Sequence, residues 1–244
     1  MRGNGGFFMA NQVLTFANGE TISYLLEHRP RRTVGLKITA DGLVVHAPKR
    51  IFAFQLNQIL QEKSGWILSK LQAREANQVD ALNWVDGEHL LYLGQDIGLT
   101  IVQNPSNKAL VFDANTLIMA TPTPDNQALI QRKVVQWYQK QAALDFGRRL
   151  TILAAKLGVP TPPLTLSNAK SRWGSCNSRG EIRLNWRLLQ APPPIINYVI
   201  CHELAHLKQM NHSAKFWAVV ESLFPDYKQA EKALKTLSPQ LHRM

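Results

Sequence analysis

Over the first third of the chain, apolar and polar positions come in short bursts; later they lengthen into a helical period. VLTF and TISYLLEH flank Asn18-Gly19, and VGLKIT and LVVHAP flank Asp41-Gly42. Both dipeptides suit the positive φ of a tight turn, so each pair of runs predicts a β-hairpin. Beyond Pro48, residues Phe54, Ile59, Leu60, Ile67, Leu68 and Leu71 recur at helical spacing, with Gly65 as a point of breakage or bending. Strand pattern returns in HLLYLG, IGLTIVQ, ALVF and TLIMA. A long helix then runs to Leu157 through Leu129, Ile130, Val134, Trp137, Leu144, Leu150 and Leu153. Gly158, Pro160, Pro162 and Pro163 stop it. LTLS, RWGSC and EIRLNW read as short strands, with a turn at Ser178-Arg179-Gly180. Pro192-Pro193-Pro194 opens a further helix, proline being suited to a first helical turn.

No internal repeat or low-complexity tract is evident. Strands precede helices rather than alternating with them, which predicts an α+β fold. The expected layout is a ragged end over 1–9, a mostly antiparallel β-rich domain with a helix over 10–122, and a helical/β domain over 123–244. The boundary is placed at TPTPDNQ (121–127), where two prolines meet an Asp/Asn helix start.

Composition changes this picture in two ways. A net charge of +11 arises wholly after residue 125: residues 126–244 hold 17 Lys/Arg against 6 Asp/Glu, whereas 1–125 hold 11 of each. That surplus is either a solvated helix face or a surface for an anionic partner: nucleic acid, a nucleotide or an acidic polypeptide. The run His28-Arg29-Pro30-Arg31-Arg32 is a second candidate for phosphate contact. Two cysteines, Cys176 and Cys201, form no disulfide framework, so a cytoplasmic setting is the default. No apolar run approaches the roughly 20 residues of a membrane span. The opening MRGNGGFFMANQ is too short in apolar residues for a secretory signal, and Met9 offers a second start.

The stretch CHELAHLKQMNH, 201–212, places three of the seven histidines and one glutamate within eleven positions. His202 and His206 are four apart and so share a helix face, where both rings can reach one zinc ion. Glu203 projects about 100° further round, within reach of a water but clear of the ligand positions. Ile196, Ile200, Leu204 and Leu207 form a separate stripe for the core. His212 is the natural third ligand, on the assumption that the helix ends at Met210-Asn211 and Asn211 reverses the chain in the left-handed region. Ser213 would then cap the helix AKFWAVVESLF. Three imidazoles with an open fourth position describe a catalytic zinc, one per chain, in preference to a closed structural site.

With these residues the chain resembles the YgjP-like metallopeptidases, related to WLM and SprT-like zincins. RWGSC (172–176), IRLNWRLLQAP (182–192), YVICHELAHLKQMNHSAKFW (198–217) and PDYK (225–228) carry the resemblance. RPRRTVGLKI (29–38), DGLVVHAP (41–48) and DGEHLLYLG (86–94) extend it upstream. It implies a zincin-like catalytic domain with His202, His206 and His212 on zinc and Glu203 as acid/base. Metzincins carry glycine where this chain has Gln209, and no Met-turn follows. An acidic third ligand, Glu221 or Asp226, is the gluzincin alternative.

A zinc at such a site brings the pKa of a water near 7, and Glu203 would move its proton. That set serves peptide hydrolysis, or hydrolysis of a nucleoside triphosphate to monophosphate and pyrophosphate, an activity attributed to some members of the family. A nucleic-acid-associated zinc module is the third reading. Candidate substrate contacts are Arg172, Trp173 and Ser175 in the RWGSC segment, with Tyr198 and Tyr227 as hydroxyl donors; for each, ordinary packing is the competing explanation.

Overall fold

The computed structural model describes residues 9–39, 41–76, 80–105 and 110–244. They divide into two compact units, Met1–Gln78 and Val79–Met244.

In the first unit the strands are β1 (Met9–Thr15), β2 (Thr21–Arg29), β3 (Gly35–Thr39) and β4 (Gly42–Pro48), in sheet order β1-β2-β4-β3. The predicted hairpins β1–β2 and β3–β4 are antiparallel, but β2 and β4 run parallel, which the expectation of a mostly antiparallel region did not include. Helices α1 (Ala53–Glu62) and α2 (Ser64–Ala76) follow. The break falls at Lys63, and Gly65 lies in the first turn of α2. Alternate residues of the strands (Leu14, Leu43, Val45, Ala47) meet Leu56, Leu60 and Ile67 of the helices in a small closed core. Of the expected ragged end, residues 1–8 lie outside the described residues, and Met9 begins β1.

The second unit opens with β5 (His89–Tyr92), β6 (Gln95–Gln103), β7 (Val111–Asp113) and β8 (Thr116–Thr121), in order β5-β6-β8-β7. Here too the outer pairs are antiparallel and the central pair parallel. The chain thus builds one topology twice, a repeat that its sequence does not display. Helix α3 (Gln127–Leu157) follows, capped by the Asn126 side chain, which accepts from Leu129 N–H at 3.0 Å, and ended by Gly158 at φ +70°. A second sheet joins β9 (Leu164–Ser167), β10 (Gly174–Cys176) and β11 (Ile182–Asn185) in order β10-β11-β9, leaving β10 on an edge. A 3-10 turn, Trp186–Gln190, leads to α4 (Pro193–Ala205), α5 (Ala214–Leu223) and α6 (Tyr227–Leu241). No sequence pattern had assigned α6.

The unit boundary corrects the one expected at 122/123. Leu90, Ile97, Leu99, Leu117 and Met119 of the β5–β8 sheet share one core with α3 and α4. Leu93 and Gly94 N–H donate to the carbonyls of Leu189 and Gln190 at 2.9 and 3.0 Å, and Tyr138 OH donates to Leu91 O at 2.8 Å. Gly94 sits at φ +81°, where a Cβ would lie 2.7 Å from Pro192 Cγ, so only glycine allows this approach. The prolines of TPTPDNQ mark a loop inside a continuous core.

The buried residues of α3 are Ile130, Val134, Tyr138, Ala142, Phe146, Leu150 and Ala154, a strict four-residue step. At 3.6 residues per turn each step advances about 40°, so the stripe winds around the helix and meets several neighbours in turn. These include the 3-10 turn, α4, β9 and α5. Leu144, read as part of the apolar pattern, is 63% exposed because it lies off this stripe.

Candidate metal centre

Helix α4 is enclosed on nearly every side. Ile195, Ile196, Tyr198, Val199, Ile200, Cys201, Glu203, Leu204 and Ala205 are all buried. Such a helix keeps its chemistry on the narrow strip left open, which here bears His202 and ends at His206. The helix stops at Ala205, earlier than expected, with His206 at the C-cap position (φ −63°, ψ −22°). Leu207 N–H bonds the Leu204 carbonyl, and Lys208 and Gln209 N–H bond Ala205, closing a tight final turn. Asn211 is not among the residues with positive φ, so the reversal does not use it. The reason is geometric: a helix continued to 210 would leave too few residues to bring His212 back. Ser213 occupies the N-cap of α5 as expected, but its side chain makes no capping bond.

The turn returns His212 to the open strip. Nitrogens of His202, His206 and His212 lie within 4.8 Å of one another, and the Nε2 atoms of His202 and His212 are 3.1 Å apart. Two ligands of one tetrahedral zinc, each at about 2.0–2.1 Å, stand about 3.3 Å apart. His206 Nδ1 lies 3.2 Å from the Gln209 carbonyl, which can only accept, so Nδ1 carries the proton and the Nε2 lone pair is free. Beneath all three rings lies Phe216, fully buried, with ring centroids 4.9, 4.7 and 4.7 Å from His202, His206 and His212. Burial, and then the neighbouring His206 and His212, push the His202 pKa down to about 4; burial also lowers that of His206. Both are therefore neutral near pH 7, as ligands must be. Three imidazole nitrogens around one open point are a donor set that fits zinc.

Glu203 is 5% exposed, and its Oε2 has no hydrogen-bond partner among the described residues. Burial pushes its carboxyl up to about 8, against the pull of Arg172. The side chain fits only because residue 174 is glycine: a Cβ there would lie 2.6 Å from Glu203 Cγ and 2.7 Å from Cδ. Beside His202 and Glu203 opens a pocket of about 190 Å³ lined by Trp173, Gly174, Tyr198, Val199 and Leu234.

The other expected site residues are distributed unevenly. Trp173 reaches the pocket but is also tied to α6, donating Nε1–H to Ser238 Oγ at 2.9 Å and stacking on His242 at 4.5 Å. Tyr198 lines the pocket one turn before His202, and burial holds its hydroxyl neutral. Arg172 is exposed and acts on Glu203 through its charge. Ser175 is brought to the wrong side. Gly174 meets Glu203, and Cys176, two residues on, is also influenced by it, so strand alternation turns Ser175 to the opposite face. Tyr227 stacks on Trp217 at 5.2 Å, and Trp217 stands between it and the histidines, 5.8 Å from His202 and 6.0 Å from His212. Glu221 and Asp226 lie outside the cluster of potential ligands.

Sequence reasoning missed Gly174, Phe216 and Leu234. Phe216 follows His212 by four residues, a helical spacing that could have flagged it. The roles of Gly174 and Leu234 depend on packing between distant elements and leave no local trace.

The profile of the YgjP-like metallopeptidase domain matches residues 32–237. A UTP pyrophosphatase of Escherichia coli (strain K12) is 35% identical over 86 residues, 35% of this chain and 48% of that protein. The matched segment thus spans about half the length of that relative. Among solved structures, the metallopeptidase zymogen abylysin of Pyrococcus abyssi aligns at 29% identity and TM-score 0.35, covering 37% of this chain and 92% of that one. The zymogen jannalysin of Methanocaldococcus jannaschii aligns at 20% identity and TM-score 0.34, covering 37% and 93%. With the family profile extending over most of its length, the chain belongs to the YgjP-like metallopeptidase family.

Proposed function

We propose that this protein is a zinc-dependent peptide hydrolase, with His202, His206 and His212 as ligands of one zinc and Glu203 as general acid/base. The observation that carries the peptide reading is the pocket beside His202 and Glu203. Its walls are Trp173, Tyr198, Val199 and Leu234, with no lysine or arginine among its lining residues, which suits an apolar side chain better than a triphosphate. Edge strand β10 supports the same reading, because its open side offers backbone groups to an extended chain beside Glu203. Zinc bound there would activate water and polarise the scissile carbonyl. Burial raises the Glu203 pKa in the metal-free site, and the charge of a bound zinc would offset this, so that the carboxylate would accept a proton from the attacking water and return it to the leaving nitrogen. Tyr198, on the pocket wall, would steady the substrate.

Hydrolysis of a nucleoside triphosphate is the second reading, favoured by the 35% identity to a UTP pyrophosphatase and by the basic surplus of residues 126–244. A cytoplasmic setting suits the two free thiols Cys176 and Cys201. Among the described residues no helix is long and apolar enough to cross a membrane. One paired assay decides the substrate: unfolded casein and UTP, each with wild type and Glu203→Gln, with and without chelator. Chelator-sensitive cleavage of casein that Glu203→Gln abolishes is expected. Release of pyrophosphate with intact casein would transfer the assignment to the second reading.

A further inference from the structure

Parallel pairing of β2 and β4 has a consequence at one end of the first unit. Arg29 stands opposite Pro48, so Pro30-Arg31-Arg32 and Lys49-Arg50 leave the sheet side by side. His28 Nδ1–H donates to the Pro48 carbonyl at 2.9 Å, tying the two strand ends together. Strand β3 enters beside them at Gly35, opposite His46, and the Arg31 guanidinium lies over Gly35, where a Cβ would come within 2.7 Å of its Nη2. Glu27 is already engaged, with Arg29 at 2.6 Å and His46 at 3.2 Å. Among the described residues no carboxylate pairs with Arg31, Arg32, Lys49 or Arg50. The unit has ten Lys/Arg against five Asp/Glu over residues 1–78, a charge hidden when the first half of the chain is summed as a whole.

Directly after Lys49-Arg50 come two aromatic side chains that the core does not use. Phe52 and Phe54 are each 69% exposed and stack on one another, centroids 5.9 Å apart at 21°. Beyond them the exposed positions of α1 are three amides, Gln55, Asn57 and Gln58, and at its far end Glu62, which accepts from Gln58 Nε2–H at 3.1 Å. A membrane-surface helix would extend the apolar face along its length. Cations beside flat, exposed rings and then amides match a chain of phosphates with unstacked bases.

We propose that this basic, aromatic end of the first unit binds single-stranded nucleic acid, its cations on phosphates and the Phe52–Phe54 pair stacked with bases. The unit contains none of the three histidines of the metal centre, so binding is separable from hydrolysis. The test is fluorescence anisotropy of labelled dT15 and U15 with the full-length protein, titrated from 50 to 200 mM salt. Wild type and Glu203→Gln bind alike. Phe52→Ala/Phe54→Ala weakens binding tenfold or more with an unchanged salt slope. Arg32→Gln/Lys49→Gln/Arg50→Gln flattens the log–log slope by about 2, at roughly 0.7 per phosphate contact. All five side chains are exposed, so matching melting temperatures exclude misfolding. Unchanged affinity in the phenylalanine variant overturns the proposal. So does equal affinity for duplex DNA, or a loss confined to phosphatidylserine vesicles, which would assign the patch to a membrane surface.

Discussion

The sheets β1–β4 and β5–β8 share strand order and strand directions, yet they serve different ends. The first closes its own small core with α1 and α2 and carries surplus positive charge. The second lies in the run 79–125, with one lysine against six acidic residues, and has no private core: its inner face merges with α3 and α4. The same four-strand device is therefore a self-contained module in one place and a foundation for a metal centre in the other. What differs is the helix that follows. Two short helices complete a core, whereas a 31-residue helix exports apolar contacts to the rest of the unit.

The largest expected contrast is chemical. Glu203→Gln should lower hydrolysis by roughly a thousandfold while zinc content, read by mass spectrometry, stays near one per chain. Gly174→Ala should act through geometry, displacing the Glu203 carboxyl and reducing kcat by about a hundredfold with zinc retained. Neither substitution should change binding at the first unit.

Core truncations test the contrast between the two sheets. Leu43→Ala and Leu117→Ala remove fully buried side chains from corresponding sheets, and each should cost about 2–5 kcal/mol. Leu117→Ala should lower the temperature at which hydrolysis is lost; Leu43→Ala should lower an earlier transition and spare hydrolysis. A single shared transition in both variants would erase the distinction between module and foundation.

Acid and base sensitivity should appear at the candidate metal centre. In zinc-free protein, the His202 pKa of about 4 lies below its unfolded value, so its share of stability is present above about 6.5 and lost as pH falls towards 4. Glu203 works in the opposite sense. Its carboxyl, raised to about 8, favours the fold at low pH and loses that contribution as pH rises. The two offset one another between about 4.5 and 6.5, and above 6.5 stability should decline towards pH 8. Urea midpoints of chelated Glu203→Gln should instead rise from pH 4.5 to 6.5 and then level off. The smallest effect compares helix starts. Asn126→Ala at the head of α3 should cost about 1 kcal/mol, while Phe52→Ser at the head of α1, where the N-cap side chain makes no bond and Gln55 Oε1 accepts from Phe52 N–H, should cost nothing.

Much of this was legible locally. The strand runs, the turns at Asn18-Gly19 and Asp41-Gly42, helix α3 and the spacing of His202, Glu203, His206 and His212 all depend on neighbours within a few residues. The errors share a cause. Helix α4 ends at Ala205 because His212 must return, a tertiary demand. Ser175 was a candidate until the contact of Gly174 with Glu203 fixed which face of β10 looks inward. The prolines at 122 and 124 resembled a border because nothing nearby reveals that Leu117 and Ile130 share one core. Proximity along the chain was readable; proximity across it was not.

The winding stripe of α3 makes its length a matter of phase. Deleting one residue near Ala142 would turn everything beyond it by about 100°, swinging Phe146, Leu150 and Ala154 away from their neighbours. Removing seven would turn it by only about 20°, though the helix would shorten by roughly 10 Å. Insertions and deletions should therefore be tolerated in α3 only in near-whole turns, with a compensating change in what it spans. The helix serves the metal centre as a camshaft serves its valves, through the angle at which each buried side chain arrives.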